Sequence, residues 1–301
     1  MAELSERRNI TRIGFSMLIM IVASAALQIG AGVLFADVIT QENRFWVAYG
    51  VQFIPQYILA MPLAYLVLRR VPAETIERKK IGAGRLMTAL LICYAIVFAG
   101  NLISLIITGI INAFSGRQMV NIVAEMLKDS AMLPNIIFLG IAAPVAEELF
   151  FRRLLIPRLA RYGDRTAVIV SGLIFGLIHV NFSQFFYAFG IGLALGYIYV
   201  RTGKVIYTIA LHIFINMIGG VIAPYIMFYA EPLAPVLGLI VLAMAIAGLV
   251  LYINNRKRIW YKPGAHALEN WKKDFFLNEG IALFIIACAA LFLYNTIFAL
   301  T

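Results

Sequence analysis

The 301-residue chain is poor in charge, in cysteine and in histidine. Only 13% of its residues are charged, while 62% are hydrophobic. A soluble domain would be nearer a quarter charged and half apolar. An ordinary water-soluble core is therefore excluded, and the composition is that of a polytopic membrane protein. Both cysteines, Cys93 and Cys288, lie in apolar runs, and no CxxC pair occurs. That excludes a disulfide framework and leaves buried structural thiols as the expectation. There is no Gly-x-Ser-x-Gly elbow and no aspartate within an apolar run, which argues against a nucleophile-elbow hydrolase and against an aspartyl intramembrane protease. No internal repeat of the kind built into many transporters is evident.

What the chain does have is long apolar runs. Stretches near the ~20 residues needed to cross a bilayer fall at 13–35, 46–68, 86–112, 132–157, 166–181, 184–200, 205–224, 233–254 and 280–300. The middle ones are short. The expected fold is all-α, a transmembrane bundle of eight or nine spanning helices. Arg7, Arg8 and Arg12 ahead of Ala23-Ser24-Ala25 have the look of a signal peptide. The run from Ile13 to Phe35 is too long for one, so a retained first helix is expected.

The net charge of +10 is explained without nucleic acid, because the basic residues sit in alternate short loops. Arg69, Arg70, Arg78, Lys79, Lys80 and Arg85 occupy one loop, and Arg152, Arg153, Arg158, Arg161 and Arg165 another. Arg201 and Lys204 follow, then Arg256, Lys257, Arg258, Lys262, Lys272 and Lys273. The positive-inside rule puts these loops and the N-terminus in the cytoplasm and the C-terminus outside, in an integral protein of the plasma membrane. Three regions are expected. Residues 1–130 hold about three helices and an outer interfacial helix at 119–133, residues 131–225 form a central core, and residues 226–301 hold the last helices and a basic, aromatic interfacial loop.

Acidic residues fall in tails and loops, with one exception: Glu147 and Glu148 lie deep in an apolar run. A charge at the bilayer centre costs ~2.5–3.5 kcal/mol on insertion scales, so a pair there needs partners or a wet cavity. Arg152 stands four residues after Glu148, the orientation that favours an ion pair on a helix. Glu147 points about 100° away, free to act as a base. Pro144 is expected to kink the helix just before the pair. His179 and His212 also lie in apolar runs, with Phe175 four residues before the first and Asn216 four after the second. Counted from the basic flank of each run at ~1.5 Å per residue, these groups reach overlapping depths of about 12–21 Å. They should meet in one cavity, expected to be reached from the cytoplasmic side.

Glu147-Glu148-x-x-x-Arg152, then Phe175-x-x-x-His179, then His212-x-x-x-Asn216, resembles the CPBP intramembrane protease family. This is also called the CAAX protease/Abi family and includes the Ras-converting CAAX endopeptidase. The likeness covers about residues 130–225. It implies peptide-bond hydrolysis at the membrane on peptide or protein substrates, with lipids as the surrounding partner. Glu147 would be the base that activates water, and Glu148 and Arg152 its orienting pair. His179, His212 and Asn216 would hold the water or a metal and stabilise the oxyanion. The family is labelled a metalloprotease family, and a metal-free mechanism has also been argued for it. Glu147, His179 and His212 could form a His2Glu site for one divalent metal such as Zn2+. The absence of HExxH, with each ligand on a different helix, tips the expectation towards glutamate and water alone. Two other functions fit the same residues: a non-catalytic peptide-binding, immunity or signalling protein, and a proton-coupled transporter.

Overall fold

The computed structural model describes residues 2–38, 40, 42–121, 127, 131–266, 268 and 270–300. Among these residues nine long helices follow one another: α1 (Ala2–Leu34), α2 (Arg44–Leu68), α3 (Ala83–Ser115), α4 (Met132–Tyr162), α5 (Asp164–Leu177), α6 (Phe182–Thr202), α7 (Val205–Tyr229), α8 (Glu231–Arg258) and α9 (Glu279–Leu300). Eight are long and apolar enough to cross a membrane, so the chain is a polytopic all-α membrane protein. Of the predicted outer interfacial helix at 119–133, residues 122–126 and 128–130 lie outside the described residues.

The exception among the nine is α5. Its 14 residues reach ~21 Å, against a hydrocarbon core of ~30 Å. The sequence suggested a span to residue 181, but the chain reverses at 178–181. Asn181 begins α6 by accepting a hydrogen bond from the Gln184 amide at 2.9 Å, a side-chain N-cap. Val180 takes a left-handed backbone (φ 46°), strained for a β-branched residue at ~1–3 kcal/mol. Asn295 on α9 holds this tip by donating to the Val180 carbonyl at 2.9 Å.

Two ends of the bundle can be told apart. At one end the basic loops contact each other. Arg158 donates from Nε to the Leu68 carbonyl at 2.8 Å, Arg161 pairs with Glu6 at 2.7 Å, and the Lys79 amide bonds the Thr202 carbonyl at 2.8 Å. At the other end the Val120 amide bonds the Ala299 carbonyl at 2.8 Å and Arg117 reaches the Leu300 carbonyl at 3.1 Å.

Close packing between α5 and α6 depends on glycine. A Cβ on Gly192 would come within 2.8 Å of the Gly172 Cα, so the backbones approach as small residues allow in membrane bundles. In α4, a regular α-helical stretch, Ala143–Glu148, is flanked by wider π-helical turns at Asn135–Ala142 and Leu149–Leu155. Pro144 opens that stretch. The expected disturbance is thus a change of winding around the proline, and π turns of this kind recur at functional sites.

Candidate active site

Glu148 and Arg152 form a sealed pair. Both side chains have no exposed surface, and Arg152 Nε lies 3.0 Å from Glu148 Oε2. The approach is an ion contact without good hydrogen-bond alignment, and both Nη atoms of Arg152 lack an acceptor among the described residues. Part of the compensation is aromatic, since the guanidinium carbon stands 4.9 Å from the centre of the Phe175 ring. The other oxygen of Glu148, Oε1, lies 3.0 Å from His212 Nδ1. A carboxylate accepts, so Nδ1 is the donor here, and in the neutral imidazole Nε2 keeps its lone pair.

Glu147 faces a different set of neighbours, as its 100° offset requires. Tyr57 donates its hydroxyl to Glu147 Oε1 at 2.6 Å. His212 Nε2 lies 3.8 Å from Glu147 Oε2, so one imidazole stands between both carboxylates and is closer to Glu148. His179 Nδ1 lies 2.7 Å from the Phe175 carbonyl. A carbonyl only accepts, which again leaves Nε2 bare. Asn216 donates one amide hydrogen to the Leu139 carbonyl at 3.1 Å and keeps a second. Phe175 is the hub of the cluster: its ring lies 5.2 Å from His179 and 5.8 Å from His212, edge to face.

Glu147, His179, His212 and Asn216 all line one cavity of about 400 Å³, whereas Glu148 and Arg152 sit behind it. The six residues singled out by spacing are therefore brought together in two layers. Tyr57 is an addition. Its signal was in the sequence, where Gln52, Gln56 and Tyr57 interrupt an apolar run around Pro55. Polar side chains inside a spanning helix mark a bundle-facing side.

The cavity corrects one expectation. Its remaining lining includes Gln28 near the end of α1, Gln52 near the start of α2, Met119–Asn121 and Asn295–Thr296. These belong to the end opposite the basic loops. The physical reason is α5. Because it stops short, the space beyond its tip, lined by His179, Val180 and Asn181, stays open towards that far end. Depth counted from one flank could not reveal which side was hollow.

The fit to a metal was tested on the donors. The two bare Nε2 atoms and the Glu147 carboxylate have suitable chemistry. Among the described residues, however, no three His, Cys, Asp or Glu side chains converge as a metal-holding group. The donors as arranged do not form the His2Glu set.

Comparison with known proteins points to the same segment. The model of the family described as type II CAAX prenyl endopeptidase Rce1-like matches residues 129–218, which carry all three motifs. A proposed membrane peptidase of Bacillus subtilis (strain 168), YdiL, is 28% identical over 187 residues, covering 59% of this chain and 72% of that protein. No solved structure matches. The family match coincides with the part of the chain that builds the Glu147 cavity, and the two likenesses together support a membrane protease of the CAAX type.

Proposed function

We propose that this protease hydrolyses peptide bonds with water activated by Glu147. The observation that carries the reading is the division of labour between adjacent glutamates: Glu148 is closed off against Arg152, while Glu147 is open to the cavity. Water in the cavity donates one hydrogen to the Glu147 carboxylate. The lone pairs on His179 and His212 Nε2 can accept the other, which fixes the water's orientation. The water oxygen bonds to the carbonyl carbon, the carbonyl oxygen becomes negative, and the second amide hydrogen of Asn216 is placed to meet it. The carbon–nitrogen bond then breaks as Glu147 passes its proton to the leaving nitrogen. Tyr57 holds Glu147 in register, and Glu148 holds His212.

In this reading the basic loops and the N-terminus face the cytoplasm of a plasma-membrane protein and the C-terminus faces outside, supported by the alternation of basic and non-basic loops. Substrates are membrane-associated peptides or proteins, and no bound metal is required. The test is turnover of a membrane-embedded peptide by purified protein after exhaustive chelation, beside His212→Ala. Chelated wild type should keep its rate, and His212→Ala should lose at least about tenfold, the low end for a group that positions a reacting atom. Loss of activity on chelation, restored by one metal, would replace the water-only scheme.

A further inference from the structure

The space between Glu147 and the far rim is lined in a way the three motifs do not account for. Seven carboxamides outside those motifs line it among the described residues: Gln28, Gln52, Gln56, Asn121, Asn181, Gln184 and Asn295. All but Asn121 belong to a helix or turn packed against lipid-facing helices, where an uncharged amide still needs partners. Some of that capacity is used internally. Gln28 Nε2 reaches the Gln52 carbonyl at 3.2 Å, and Asn181 Nδ2 bonds the His179 carbonyl at 2.7 Å. Gln56 accepts from Gln28 at Oε1 and Asn295 donates to Val180. That leaves the Gln56 amide hydrogens and the Asn295 carbonyl oxygen for a ligand. A carboxamide presents both a donor and an acceptor, the complement of a peptide group, which offers one of each per residue.

The charges are as informative as the amides. Among the described residues no lysine or arginine lines the cavity, and Glu147 is its one carboxylate. Arg152 is sealed behind Phe175, and Arg117 stands outside the lining, bonded to the Leu300 carbonyl at the far end. Deep in the cavity a substrate carboxylate, whether a side chain or a chain terminus, would lose its hydration, find no cation in the described lining and face Glu147. A C-terminal residue is therefore a poor occupant, and an internal segment a good one.

We propose that this vestibule receives an internal, extended, non-acidic stretch of polypeptide, held by its backbone and presented from the membrane face opposite the basic loops. The proposal rests on the protease reading for its purpose, but its test does not need turnover.

Ser183, at the start of α6 and half-buried in the cavity wall, serves as a reporter when changed to cysteine in a Glu147→Gln chain. The native thiols Cys93 and Cys288 are buried and stay silent. A membrane-impermeant maleimide should label Ser183→Cys in intact cells and not in inverted vesicles. A short Gly-Gln-Ser peptide with both ends blocked, supplied at ten times its Kd, should slow labelling about tenfold. The same peptide with Glu in place of Gln, or with a free carboxyl end, should not. Asn121→Cys, at the exposed rim, repeats the measurement if Ser183→Cys fails to fold. Labelling only in inverted vesicles, equal protection by acidic and neutral peptides, or no protection by either would overturn the proposal. If the neutral peptide protects yet the wild-type chain cleaves nothing, the vestibule stands and the protease reading falls.

Discussion

The sealed pair Glu148–Arg152 makes a prediction in which stability and activity part company. At 3.0 Å and an effective dielectric of about 20, the attraction is on the order of 5 kcal/mol. Desolvating each ion costs several kcal/mol, so the pair is worth little net. Removing one partner is different, because the survivor stays buried and uncompensated. Arg152→Met should destabilise the protein by ~3–5 kcal/mol, and Glu148→Gln by a similar amount. The double variant removes both charges. Its stability should return to within about 1–2 kcal/mol of the parent, less the stacking of Arg152 on Phe175. Activity should not return, since His212 Nδ1 has then lost the carboxylate that orients it. Reversible unfolding in detergent measures the first quantity, and turnover of a membrane-embedded peptide the second. A double variant no more stable than the weaker single variant would refute the reasoning, as would one with full activity.

Other positions give narrower tests. Tyr57→Phe deletes a 2.6 Å hydrogen bond to Glu147; such bonds to a charged group are worth ~1.5–3 kcal/mol, so kcat should fall ~10- to 150-fold with the fold intact by circular dichroism. Gly192→Val places methyl groups against the Gly172 backbone; the α5–α6 hairpin should lose ~1–3 kcal/mol in thermal unfolding, and a second-site change at Gly172 should not rescue it.

Much of this site was legible in the sequence because lipid makes polar residues conspicuous. Glu147 and Glu148 stood out as deep carboxylates, Arg152 followed from helical spacing, and His179, His212 and Asn216 followed from depth along their helices. The structure keeps all six together. Three things were missed. Tyr57 was not singled out, because a tyrosine in an apolar run reads as packing until its hydroxyl is seen on Glu147. His212 was matched to Glu147, whereas Nδ1 is nearer Glu148; depth sets a level in the membrane but not a rotamer. The open end of the cavity was read from the basic flank and lies at the other one. That inversion comes from where α5 ends, at Leu177, rather than at residue 181. The turn is set by the Asn181 cap and the strained Val180, and local hydrophobicity carries no sign of it.

The central claim is that Glu147 activates water in the cavity. Purified Glu147→Gln, compared with wild type on one membrane-embedded peptide, measures it most directly. The substitution keeps the shape and the hydrogen-bond partner for Tyr57 while removing the base. The account predicts a fall in kcat of ~10²- to 10⁴-fold, the range for general-base groups, with peptide binding retained. Cleavage at the wild-type rate would contradict it.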